Sequence, residues 1–105
     1  MGNGHYGRAA ELLEQVFRID EETLASEDPD RLASQHKLAE AYIGMGNGHY
    51  GRAAELLEQV FRIEENILAP DDSNRIISQQ LLEEVRRRIE AENDAESASA
   101  SGETT

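Results

Sequence analysis

The stretch MGNGHYGRAAELLEQVFRI occurs twice in this chain, at residues 1–19 and again, without a change, at residues 45–63. Past the identical block the offset of 44 still holds while the sequence drifts. Glu21, Leu24, Ala25, Asp28, Arg31, Ser34, Gln35, Leu38 and Glu40 match Glu65, Leu68, Ala69, Asp72, Arg75, Ser78, Gln79, Leu82 and Glu84. Self-similarity at such a spacing marks an array of stacked units rather than one closed core. The kind of unit follows from the second copy. Ala53, Ala54, Leu56, Leu57, Val60, Phe61, Ile63, Ile67 and Leu68 recur every three or four residues, which lays an apolar stripe along a helix. Strand-like alternation occurs nowhere. The fold class is therefore all-α, with a pair of antiparallel helices as its unit.

Punctuation divides the chain into four helices. The first is expected over residues 5–25. Asp28-Pro29 reads as an N-cap followed by proline in the first turn, opening a second helix over 29–43. Gly44, Gly46 and Gly48 end it, because three glycines in five residues do not sustain a helix. A third helix is expected over 49–69, stopped by Pro70, and a fourth over 73–92 with Asp71, Asp72 or Ser73 as cap. The repeat domain thus spans 1–92. Residues 93–105, rich in Ser, Ala and acid and without a large apolar side chain, are expected to be disordered.

Composition narrows the function. The 105 residues have room for one small domain, and a net charge of −12 leaves nothing to neutralise phosphates or anionic headgroups. Neither nucleic acid nor membrane is an expected partner. The chain has no cysteine, which removes disulfides, thiol catalysis and zinc–thiolate sites together. No apolar run approaches the ~20 residues of a spanning helix, and the N-terminus lacks a signal-peptide layout. A soluble cytoplasmic protein is the default expectation.

Leu38, Ala39, Tyr42, Gly48, Tyr50, Ala53 and Leu57 follow one another in an order that resembles the tetratricopeptide repeat (TPR). In that family a helix bearing Leu, a small residue and Tyr is followed by a glycine–aromatic turn, then by a helix with a small residue and a bulky one a turn later. The resemblance is strongest to the longer repeats of kinesin light chains. LASQHKLAEAY (32–42) and AAELLEQVFRIEENILAPDDSNR (53–75) are similar to the C-terminal arrays of fungal nucleotide-binding receptor-like proteins. It implies an α-α superhelix that binds proteins. Two small residues, Ala39 and Ala53, let helices approach while Leu38, Tyr42 and Leu57 fill the space around them. Three departures stand out. The period is slightly long, with the excess in Ile43–Gly48; the chain opens midway through a repeat, as a fragment would; and Glu83 and Arg86 replace the small residue and the tyrosine in helix four, which reads as an end cap.

Candidate chemistry is sparse. Gly46-Asn47-Gly48-His49-Tyr50-Gly51, and Gly2–Gly7 before it, match G-x-G-x-x-G, but a dinucleotide site needs a preceding strand, so an interhelical turn explains them. His5, His36 and His49 are too far apart for a metal centre. The serines cluster in the tail, away from any base, and neither catalytic residue nor cofactor is expected. Arg86-Arg87-Arg88 reads as paired with Glu83, Glu84, Glu90 and Glu92 one turn away. What remains is shape: the first helix of each pair lines the inner groove of such an array. Helix two supplies Gln35, His36, Lys37 and Glu40 as groove candidates for an extended or helical peptide of another protein. Self-association through exposed repeat ends is the alternative.

Overall fold

The computed structural model describes the backbone of residues 2–46 and 48–104 and the side chains of 5–46 and 48–94. It contains four helices among the described residues: α1 (Gly2–Thr23), α2 (Pro29–Met45), α3 (Tyr50–Ile67) and α4 (Ser73–Thr104). Each packs on its neighbour in sequence, α1 on α2, α2 on α3 and α3 on α4.

The two interhelical turns at Asp28 and Asp72 are built alike from matched residues. Asp28, extended at φ −61° and ψ 128°, accepts from the Asp30 N–H at 2.9 Å, and Pro29 follows it in the first turn. Asp72 accepts from the Asn74 N–H at 2.8 Å. Arg31 donates to the Leu24 carbonyl at 3.1 Å and lies 5.9 Å above the Phe17 ring. Arg75 repeats both contacts, with the Leu68 carbonyl at 3.1 Å and Phe61 at 6.0 Å. These arginines explain why α1 and α3 stop at Thr23 and Ile67, two residues before the expected ends. The guanidinium takes up a carbonyl that a further helical turn would otherwise have to satisfy.

The glycine-rich segment takes two forms. Residues 2–7 belong to α1, whereas the identical residues after Met45 turn the chain from α2 into α3. In that turn Gly46 (φ 83°) and Gly48 (φ 90°) sit in the left-handed region, and the Gly46 N–H caps α2 by reaching the Ile43 and Tyr42 carbonyls at 3.1 and 3.3 Å. Local sequence permits both shapes, and in the second copy the chain turns because α2 has to be reversed into α3. Asn47 lies outside the described residues. Gly44 is required for a different reason: the Tyr6 ring of α1 occupies the place a Cβ would take. In the next unit, Tyr50 rests against Arg88, whose guanidinium is 5.8 Å from the ring.

The core is one continuous seam along α2 and α3. Ala39 and Ala53 are fully buried, with Leu38, Tyr42, Tyr50 and Leu57 around them, as the small-against-large pattern requires. Leu82 and Val85 carry the seam into α4. Helix α4 extends from Ser73 to Thr104, so that its last part is the acidic, Ser-rich tail. Nothing between Asn74 and Gly102 breaks a helix, and Ala and Glu favour one. The extension carries no large apolar residue with which to dock.

Candidate functional site

Helices α2 and α4 flank a groove of about 530 Å³ whose floor is α3. Leu32 and Ala33 of α2, Val60 and Ile67 of α3, and Ile77 of α4 form its apolar walls, with Pro29 and Leu68 at one end. Polar groups enter from the same three helices: His36, Lys37 and Glu40 from α2, Glu64 from α3, Asn74 and Ser78 from α4. The spacing of α2 explains its share, since 29, 32, 33, 36, 37 and 40 form one face of a helix.

The four groove candidates of α2 divide between two faces of the helix. His36, Lys37 and Glu40 line the groove, with His36 Nδ1 3.7 Å from Glu40 Oε1. Gln35 does not. It is 2% exposed in the α2–α3 interface, where its amide donates to the Leu56 carbonyl and to Gln59 Oε1, both at 3.0 Å. One position along a helix is a turn of about 100°, and that step moves residue 35 from the groove face to the packing face. There the buried amide has two acceptors, a helix carbonyl and a side chain of α3, which is what lets a polar group pack at this interface.

Below these residues are groups whose role the periodicity does not announce. Glu64 is 5% exposed and Ser78 1%. Glu64 Oε1, Ser78 Oγ and His36 Nε2 are buried and have no hydrogen-bond partner among the described residues. Burial pushes the Glu64 carboxyl above the usual carboxylate range, and Asp72 adds to the rise, while the nearby Ser78 hydroxyl and His36 act against it. One signal was available in the sequence. Glu64 is the first position after the identical block, where the two copies diverge to Asp20 and Glu64, both acids.

On the opposite side of the seam the repeat swaps one polar pair for another. The Tyr42 hydroxyl donates to Glu14 and receives Arg52 Nη1 at 3.4 Å, with the Arg52 guanidinium 5.6 Å above its ring. Burial first, then the Glu14 carboxylate, pushes the Tyr42 phenol up to about 12. At the equivalent place in the next unit, Arg86 holds Glu58 at 2.6 Å. The acid is retained and its partner changes from hydroxyl to guanidinium. Of the pairs expected within the arginine cluster, Glu84–Arg88 forms at 2.9 Å; Arg87 turns to Glu84 instead, and Arg86 leaves the cluster for α3. His49 stacks on Tyr42, with ring centroids 6.1 Å apart. Among the described residues no three His, Cys, Asp or Glu side chains stand together as a metal site.

The same arrangement of helices occurs in solved structures. A crystal structure of nearly identical TPR-like repeats from Podosopora anserina, ascribed there to a kinesin light chain, superposes with a TM-score of 0.73 at 45% identity over 90% of this chain. The chain is built of TPR-like repeats. A crystal structure of a single-substitution variant of that protein matches with the same TM-score, identity and coverage. This chain spans 42% of the length of either. No protein-family model matches the sequence, and no curated protein matches it.

As TPR-like units, α2 and α3 form the one complete helix pair among the described residues. Leu38, Ala39, Tyr42, Tyr50, Ala53 and Leu57 are its buried contact, and Gly48 is exposed in its turn. Helix α1 stands as the second helix of a preceding unit and α4 as the first helix of a following one. No helix among the described residues is long and apolar enough to cross a membrane.

Proposed function

We propose that this chain holds a peptide segment of another protein in the groove between α2 and α4 and performs no chemistry of its own. The observation that carries the reading is the groove itself: apolar walls on three helices, with a few polar groups converging inside. Its walls belong to the first helices of successive TPR-like units, the pairing through which stacked repeats present a concave surface. The binding unit is residues 1–92, with 93–105 outside it; no cofactor takes part, and the compartment is the cytoplasm. The net charge of −12 turns the reading away from nucleic acid and towards a partner with basic groups. A comparison of proteins retained by the wild-type chain and by His36→Ala/Lys37→Ala/Glu40→Ala tests it. Partners should be lost from the triple variant, and an unchanged set would count against the groove.

A second reading, self-association, is favoured by a specific contrast. Leu12, Val16 and Ile19 of α1 are 60%, 45% and 58% exposed, whereas Val60, the repeat-equivalent of Val16, is 1% exposed. In the second copy this face of α3 is covered by α2. The covering helix for α1 would be the α4 of another copy, a head-to-tail contact of the kind that builds chains rather than closed rings. Sedimentation velocity from micromolar to millimolar concentration decides: a growing sedimentation coefficient is expected, and a monomer throughout rules the contact out.

A further inference from the structure

This inference rests on the groove being the binding surface and asks what its floor selects. A buried carboxylate oxygen, a buried hydroxyl and a buried imidazole nitrogen share one cavity without partners among the described residues, and they come from three separate helices: Glu64 on α3, Ser78 on α4, His36 on α2. Buried polar atoms in folded proteins are hydrogen-bonded almost without exception, so three orphans converging on one space mark a place where donors are missing. All three atoms can accept. The Glu64 carboxylate only accepts, and the Ser78 hydroxyl keeps its lone pairs open even when its proton turns towards Glu64. His36 Nδ1 stands 3.7 Å from Glu40 Oε1, and Nε2 can accept in the tautomer that carries its proton on Nδ1.

We propose that the floor of the groove receives the ammonium group of a lysine side chain presented by the partner peptide. An ammonium carries three donors and no acceptor, which is the complement of Glu64 Oε1, Ser78 Oγ and His36 Nε2. The walls supply the rest of the fit: Leu32, Val60 and Ile77 line the way in, where the four methylenes of a lysine stem lie against apolar surface with the charge at the tip. An arginine fits less well. Its planar fork seeks both oxygens of one carboxylate, and only one oxygen of Glu64 is buried without a partner. The rim agrees in sign, with Glu27 and Glu40 against the single Lys37.

The test titrates the isotope-labelled full chain, at ~0.15 M salt so that diffuse attraction to the acidic surface is screened, with Nα-acetyl-lysine N-methylamide and separately with the norleucine analogue, which has no ammonium. The methyl resonances of Leu32, Val60 and Ile77 report binding. Lysine should shift them at a concentration about tenfold or more below norleucine, as expected for a charge-assisted bond in a buried site. Glu64→Gln, checked for helicity by circular dichroism, should abolish that preference, and Ser78→Ala should reduce it. Equal binding of the two probes would overturn the lysine assignment and leave the groove as a binding surface. A preference that survives Glu64→Gln, or shifts spread over the acidic surface with none at these methyls, would overturn it as well. Should neither probe reach the groove methyls, the lysine site is wrong, and the groove then stands or falls on the His36/Lys37/Glu40 comparison.

Discussion

Replacing valine by alanine at positions 16 and 60 separates tertiary packing from everything local. The two valines sit at the same place in an identical 19-residue block, so helix propensity and the denatured chain contribute alike to both variants. Their surroundings differ: Val60 is 1% exposed and Val16 45%. Removing two methyl groups from a closed site costs about 1.6 kcal/mol in transfer and up to about 1 more for the space left behind. Alanine returns up to about 0.5 kcal/mol as the better helix former, which leaves about 2 kcal/mol for Val60→Ala. At Val16 about half the transfer term survives and no closed cavity forms, so the net is about 0.4 kcal/mol. The difference, about 1.6 kcal/mol, corresponds to roughly 6–12 °C in Tm for a domain of this size. Urea unfolding followed by circular dichroism, at a concentration where the chain sediments as a monomer, measures both variants. Losses equal to within about 0.5 kcal/mol, the spread expected of independent surface changes, would refute the packing account. If the loss at Val16 grew with protein concentration while that at Val60 did not, the exposed face of α1 would be the one covered by a second copy.

Gly44→Ala should gain nothing in the wild type, because its methyl group displaces the Tyr6 ring, yet stabilise a Tyr6→Ala background by up to about 1 kcal/mol; a double-mutant cycle with no coupling would contradict the contact. The raised Glu64 pKa means that the folded state binds that proton more tightly than the unfolded chain. Its stabilising contribution is therefore complete at low pH and is lost as pH rises through the folded value. Glu64→Gln should accordingly show a flatter stability profile between acid and neutral pH, and greater stability at neutral pH, in denaturant titrations; a profile parallel to wild type would count against the burial of the charge. Ending the chain after Glu92 should cost less than about 0.5 kcal/mol, since an isolated helical extension of a dozen residues without an apolar face contributes almost nothing to stability, and a clear drop in Tm would show that 93–105 docks.

Much of this architecture was legible because two copies of one unit can be read against each other. The stripe from Ala53 to Leu68, the Asp28-Pro29 punctuation and the small–large order around Ala39 and Ala53 are local signals, and an all-α repeat fold can be read from them. What escaped depends on neighbours distant in sequence. Gln35 looks as polar and as free as His36, and only the position of Leu56 on α3 reveals that it is a buried donor. Glu64 and Ser78 look like solvated surface until α3 and α4 close on each other. Arg31 and Arg75 read as ordinary surface charge, although their survival through the drifting half of the repeat was a hint that they clasp the turns. Arg86 reads as a lost tyrosine; its partner Glu58, inherited from the same position as Glu14, shows a contact remade rather than abandoned.

The identical blocks also bear on how the chain finds its fold. The side of α1 that α2 covers carries Ala10, Leu13 and Phe17, and the side of α3 available to α4 carries Ala54, Leu57 and Phe61, the same three residues in the same order. During folding, α4 therefore meets two chemically indistinguishable landing strips. Docked on α1 it would strand α2 and α3 in a long loop; docked on α3 it closes a short one. The entropy of closing the longer loop is greater only by about 2 kcal/mol, because that cost grows with the logarithm of length. Selection of the right partner then falls to the α1–α2 contact, whose formation removes α3's rival by covering α1. Order of assembly, more than the identity of any one contact, is what keeps a chain with duplicate addresses from delivering its last helix to the wrong one.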